Sequence, residues 1–137
     1  MEISRFNGEG YHDPVPRKAA RNMEHRAWRP LVYVASPYAG DTESNARNAV
    51  RYCRFAFEHG AIPFAPHLFL PRFISEETER EEVMFMNRVF LGKCDELWVF
   101  GPRITDGMAE EIRWAERRGT QIRHFTEDCV ETMNGGL

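Results

Sequence analysis

The chain has 137 residues, 42% hydrophobic and 28% charged, with a formal net charge of −3. That length suits one domain with a real core and is too short for two, and the balance excludes a disordered polymer. The charge gives no overall drive toward nucleic acid or an anionic membrane.

No apolar run approaches the ~18 residues of a membrane span, and the stretch from Met1 to Gly8 lacks the apolar core of a secretion signal. Cys53, Cys94 and Cys129 are odd in number and widely spaced, with no CxxC and no His at ligand spacing. They read as reduced thiols, so a cytoplasmic protein without disulfide framework, metal or cofactor is expected.

Residues 1–29 show no sustained period. They hold Gly8, Gly10, Pro14 and Pro16, then a basic run with Arg17, Lys18, Arg21, Arg26 and Arg29. The segment reads as an extended arm with a short helix near Ala19 to Met23. A basic arm fits nucleic acid. This one lacks the interleaved aromatics that stack on bases, which favours a solvated extension or a segment packed on a partner subunit.

Leu31 to Ser36 is a mostly apolar run of β-branched and aromatic residues, the pattern of a strand buried on both faces. Pro37 to Asp41 is a turn, and Asp41 or Thr42 caps the next helix. Ala46, Ala49, Val50, Cys53, Ala56 and Phe57 recur at spacings of three and four from Ser44 to His59, which predicts an amphipathic helix stopped by Gly60. Ala61 to Ala65 is a short strand, and Pro63 predicts an edge position because it cannot donate to a ladder.

A loop bracketed by Pro66 and Pro71 follows. Ser75, ahead of Glu76, Glu77 and Glu79, is read as the cap of a helix running to about Lys93, with Val83, Met86, Val89, Phe90 and Met84 inward. Asp95 to Phe100 is a third strand, with Asp95 hydrogen-bonding locally at its amino edge. A turn over Gly101 to Asp106 leads into a helix from Gly107 to Arg118, stopped by Gly119. Thr120 to Phe125 is a fourth strand, and residues 127–137 read as a frayed tail. The order predicts right-handed βαβ units: a single-domain α/β fold over residues 30–126, with a parallel sheet of about four to five strands flanked by helices.

In such a sheet ligands bind at the carboxyl edge. The three turns there contribute Ser36, Tyr38, Asp41, His67, Arg103, Thr105 and Asp106. In the last helix, Met108, Glu111, Ile112 and Ala115 share a face, which places Glu111 inward. Glu110 falls with Arg113, Trp114 and Arg117 on the outer side. Glu111 sits near the positive end of its helix, which favours the ionised form. It fits either an ordinary acidic residue near a helix start or a reactive carboxylate in a cleft. Gly101 and Gly107 match neither GxGxxG nor a P-loop. Tyr33, mid-strand, reads as core, and His67 as either a structural or a ligand-contacting loop residue.

Four stretches together resemble a known group: Val32 to Gly40, Gly60 to Pro63, Cys94 to Gly101, and Gly107 to Ile112. Their order and spacing resemble the nucleoside 2-deoxyribosyltransferase-like superfamily, in its small uncharacterised bacterial and phage branch, over about Leu31 to Phe125. The resemblance implies a flavodoxin-like or Rossmann-like sheet and cleavage of the N-glycosidic bond of deoxynucleosides or their 5′-monophosphates. A glutamate attacks C1′, and the resulting ester is resolved by another base or by water, the two-step retaining route.

The family glutamate falls on Glu111, and the tyrosine that orients it falls on Tyr33. The family's helix aspartate, which assists departure of the base, is here Asn87, which cannot act as a general acid. The position six before the nucleophile, Asp or Ser in the characterised enzymes, is Thr105.

The expected site is therefore Glu111 and Tyr33 for catalysis, with Ser36, Tyr38, Asn45, His67, Asn87, Thr105, Gly107 and Met108 binding a small nucleoside or nucleotide. The resemblance also implies a homo-oligomer. Two further readings stand beside the N-glycosidase or transferase: a non-catalytic nucleotide-binding module, motivated by Asn87, and a partner-dependent interaction protein using the basic arm.

Overall fold

A computed structural model describes residues 28–133. The arm expected over residues 1–29, including its short helix and most of its basic run, lies outside the described residues apart from Trp28 and Arg29.

The elements run β1 (Leu31–Ala35), α1 (Thr42–Glu58), β2 (Ile62–Phe64), two 3₁₀ turns (Pro66–Leu68 and Leu70–Arg72), α2 (Arg80–Gly92), β3 (Glu96–Phe100), α3 (Asp106–Arg118), β4 (Gln121–Phe125) and β5 (Glu131–Thr132). The sheet order is β2-β1-β3-β4-β5. The first four strands are parallel, and β5 runs antiparallel on β4. The fold is thus α/β, with a five-strand, mostly parallel sheet flanked by helices, compatible with a Rossmann-like fold. Pro63 lies on the edge strand β2, opposite Val32.

Alternation along the strands feeds two cores. On one face Val32, Val34, Trp98, Phe100 and Phe125 pack against Ala49, Tyr52 and Ala56 of α1. The Phe100 ring stacks between Tyr52 at 4.5 Å and Phe125 at 4.7 Å. On the other face Tyr33, Ala35, Leu97 and Val99 pack against Leu91 of α2 and against Met108, Trp114 and Ala115 of α3. Helices thus cover both faces of the buried strands.

The helix faces depart from expectation in instructive ways. In the first core the helix partner is α1, and it buries a narrow stripe of Ala49, Tyr52 and Ala56; Val50 is 56% exposed and Phe57 48%. On the other face α3 meets both the sheet and α2, so its buried arc is wider. Trp114, expected outward, is 8% exposed, with the Arg88 guanidinium 5.7 Å over its ring.

In α2 the buried residues are Val83, Asn87 and Leu91, and Val89 is 41% exposed. The helix also begins later than Ser75. The Ser75 hydroxyl accepts from the backbone N–H of Glu77 and Thr78, and its own N–H donates to Glu79 Oε1, which closes a separate turn ahead of Arg80.

Asp41 caps α1 by accepting from Ser44 N–H at 3.1 Å. Asp95 Oδ2 accepts from Leu31 N–H at 2.7 Å, tying the amino edges of β1 and β3 together. Residues expected as a frayed tail include β5. The Thr126 hydroxyl accepts from Asp128 and Val130 N–H in the connecting turn, and Arg123 donates twice to the Glu131 carboxylate at 2.8 and 2.7 Å.

At the carboxyl edge the loops crowd together. Gly101 has φ +117°, a conformation that favours glycine, and a Cβ there would stand 3.1 Å from Pro37 Cδ, a tight contact between the turns after β1 and β3.

Candidate active site

The centre of the site joins two residues 78 apart in the chain. Tyr33, fully buried in β1, points to the face covered by α2 and α3, and its hydroxyl donates to Glu111 Oε2 at 2.6 Å. Glu111 is 5% exposed, in the second turn of α3 on the face shared with Met108 and Ala115. Glu110 turns outward and pairs with Arg113. The inward placement of Glu111 therefore follows helix spacing, as expected.

Glu111 lines a cavity of about 810 Å³ at the carboxyl edge of the sheet, within the ~300–1,000 Å³ range of small-molecule sites. Of the expected binding residues, Tyr38, His67, Asn87, Thr105, Gly107 and Met108 line it. Asp106 does too, whereas Asp41 and Arg103 do not.

Three expected residues stand behind the wall. Tyr33 reaches the cavity only through Glu111. Ser36 is buried at the end of β1, and its Oγ has no hydrogen-bond partner among the described residues. The Asn45 amide donates to the carbonyls of Tyr38 at 2.8 Å and Ala39 at 3.2 Å, so it clamps the β1–α1 turn and does not face a ligand.

The remaining walls have defined roles. Thr105 caps α3 by accepting from Met108 N–H at 3.2 Å, which leaves its hydroxyl proton free to donate. Asn87 is 2% exposed, and its Oδ1 has no partner among the described residues. His67 Nδ1 lies 2.9 Å from Glu76 Oε2, and its ring stacks on Tyr38 at 4.7 Å and 14°.

Sequence reasoning missed Glu76 and Arg80, both on the cavity wall. A signal for Arg80 existed: Arg80, Met84, Asn87 and Leu91 recur at spacings of four, three and four. The Arg80 guanidinium lies close over Gly107, so a Cβ there, 2.9 Å from Arg80 Nη2, would displace the end of that flexible side chain.

Burial pushes the Glu111 carboxyl up from its ordinary 4.5 to about 7; the Tyr33 hydrogen bond and the charges of His67 and Arg80 oppose this, and Glu76 reinforces it. This corrects the expectation that the positive end of α3 governs: desolvation outweighs it. Burial, then the charge of Glu111 and the hydrogen bond to it, raise the Tyr33 hydroxyl, which therefore stays protonated and a donor. The pair is a carboxyl poised near neutrality with a fixed donor on one oxygen. It can give or take a proton, or attack as a nucleophile once ionised.

Elsewhere burial lifts the Cys53 and Cys94 thiols to about 11, so neither is a reactive thiolate. Among the described residues no group of three His, Cys, Asp or Glu side chains gathers as a metal-ligand set. None of the helices there is long and apolar enough to cross a membrane.

Fold and site together define an α/β domain with a buried, tyrosine-held glutamate opening into a cleft at the strand ends. Residues 30–125 match the family described as a domain of unknown function, DUF7768, and the chain belongs to that family. No curated protein matches the chain.

Proposed function

We propose that this protein cleaves the N-glycosidic bond of a (deoxy)nucleoside or nucleotide through a covalent glycosyl–Glu111 intermediate. The ester then passes to water, giving hydrolysis, or to a second base, giving transfer. The single observation that carries this reading is the Tyr33–Glu111 hydrogen bond at the wall of the cavity.

Ionised Glu111 attacks C1′ while Tyr33 holds Oε2, so the attacking group is fixed by a side chain from a different element. Splitting one displacement into two lowers each barrier. Tyr38, His67, Asn87, Thr105 and Met108 surround the bound molecule. The 2-1-3-4-5 strand order, which resembles that of flavodoxin-like sheets, and the likeness of the motifs to nucleoside 2-deoxyribosyltransferase-like proteins support the same reading.

The test is incubation with 2′-deoxynucleosides, their 5′-monophosphates and NAD, with free base read by chromatography. Base release that is abolished in Glu111→Gln supports the proposal. Absence of release from every substrate, or unchanged release in that variant, refutes it.

A specific observation favours a second reading. Asn87, whose carbonyl oxygen has no partner among the described residues, occupies the place where the resemblance expects an acid. A binding module without chemistry would be stabilised against heat by nucleotides while releasing no base.

Self-association and a cytoplasmic location belong to the first proposal. Supporting them are the exposed Phe69 and Phe73, whose rings meet at 5.3 Å, and the three free thiols. Light scattering of the purified chain tests the assembly.

A further inference from the structure

The N-glycosidic reading leaves one chemical need unmet. When C1′–N breaks, the electron pair goes to the base, and a neutral base leaves readily only if a proton reaches it. Asn87 has no acidic proton to give. Glu111 is the nucleophile and must be ionised to attack. Arg80 keeps its protons, and burial raises Tyr38, which holds its own. Asp106 and Glu77 stand exposed at the rim.

One pair on the wall is built differently. His67 and Glu76 are largely buried, with side chains 16% and 11% exposed, and His67 Nδ1 meets Glu76 Oε2 at 2.9 Å. A carboxylate only accepts, so Nδ1 carries a hydrogen and Nε2 is the nitrogen left to exchange a proton. Tyr38, stacked on the imidazole at 4.7 Å, fixes the plane of the ring. A histidine oriented by a carboxylate through its far nitrogen is the arrangement that general acid–base chemistry uses. Its loop, bracketed by Pro66 and Pro71, brings it to the cavity that Glu111 lines.

We propose that His67, oriented by Glu76, is the general acid–base of this site, and that its substrates are nucleosides whose neutral base departs as it is protonated. This rests on the N-glycosidic reading. Glu111 attacks C1′ and forms the ester as C1′–N breaks. The electron pair stays on the base nitrogen system, which takes the proton from His67 Nε2, and His67 becomes neutral. Water then attacks C1′ and gives a proton to Nε2. The C1′–O bond breaks, and its pair returns to Glu111 as a carboxylate. Proton and charge are both restored.

The experiment compares two probes in the full chain: 2′-deoxyguanosine, whose base needs a proton, and N7-methyl-2′-deoxyguanosine, whose cationic base leaves without one. In His67→Asn, release from the neutral probe falls by roughly 10²–10⁴-fold, and release from the methylated probe falls by less than a tenth of that factor. Glu76→Gln, which keeps the imidazole and removes the carboxylate that orients it, moves the ratio of the two rates in the same direction. The methylated probe reports on whether the variant site is still assembled.

Equal losses on both probes, or no loss on either, overturn the assignment of His67 while leaving the glycosidic reading intact. If the unaltered protein releases base from neither probe nor from any member of the wider panel of deoxynucleosides, monophosphates and NAD, the glycosidic reading fails, and this assignment fails with it. Where only another panel member turns over, the His67→Asn comparison is made on that substrate, and an unchanged rate there overturns the assignment.

Discussion

A buried carboxyl held near neutrality makes folding stability depend on pH, and the sign can be worked out. Folding raises Glu111 from an ordinary 4.5 to about 7, chiefly through burial. The folded chain therefore holds this proton more tightly than the unfolded one. The stabilisation is fully present below about pH 4.5, is lost as pH rises through about 7, and is flat above. At about 1.4 kcal/mol for each tenfold difference in proton affinity, the loss is about 3 kcal/mol. Glu111→Gln keeps an oxygen to accept from the Tyr33 hydroxyl and cannot ionise, so it removes this dependence.

Denaturant unfolding at pH 4.5, 6 and 8 is the assay, because the other titrating groups act alike in both chains and cancel in the difference. The variant should match the unaltered chain near pH 4.5. It should exceed it by about 3 kcal/mol at pH 8, with most of the gap opening between pH 5 and 7.5. A gap that does not change with pH refutes the buried, poised carboxyl.

Three further outcomes are expected. Tyr33→Phe removes the donor that favours the carboxylate, so Glu111 titrates above 7 and the pH of half-maximal base release moves up; titration of the glutamate carboxyl by NMR reads the same shift without turnover. Phe100→Ala empties the stack between Tyr52 and Phe125 and should cost about 3–5 kcal/mol in denaturant unfolding, with the site residues otherwise in place. Gly107→Ala favours α3 by up to about 1 kcal/mol but turns Arg80 aside, since the new Cβ stands 2.9 Å from Nη2; the melting temperature should hold or rise while base release falls.

What could be read from the chain follows the physics of each element. β1 and β3 were legible because a strand covered on both faces is a short apolar run. β4 carries Gln121, Arg123 and His124 and buries only Phe125, so it was legible from its place after the Gly119 stop and not from an apolar run. α1 and α3 were legible in extent but not in full face. Periodicity marks a stripe, and the width of that stripe depends on how many neighbours cover the helix. Val50 and Phe57 are exposed where α1 flanks one core, and Trp114 is buried where α2 joins the sheet against α3. The start of α2 was misplaced because Ser75 has the chemistry of a cap and uses it on an isolated turn. β5, two residues long, has no period to detect.

The site divides the same way. Glu111 is separated from Glu110 by spacing alone. The partnership of Tyr33 with Glu111 crosses 78 positions, and no local pattern carries it; it was reached only through resemblance. Glu76 and Arg80 come to the cavity because residues 66–79 fold back over the strand ends, a path that depends on two 3₁₀ turns and the Ser75 turn.

The Tyr33–Glu111 pair is a poor means of holding α3 on β1. At neutral pH the fold is about 3 kcal/mol less stable than it is with this carboxyl protonated, a cost that remains after the Tyr33 hydrogen bond has already lowered it. Leu97, Val99, Met108 and Ala115 already pack the same interface without a polar atom, and an apolar pair of similar volume would serve stability better. The carboxyl also does not lie sealed in that core. Its far side opens into a cavity of about 810 Å³, beside a histidine held by a second carboxylate and an asparagine oxygen with no partner among the described residues. Local choices that oppose stability and converge on one cavity are what a site under selection for chemistry or binding leaves in a fold. The pair is therefore better explained by what enters the cavity than by what surrounds it.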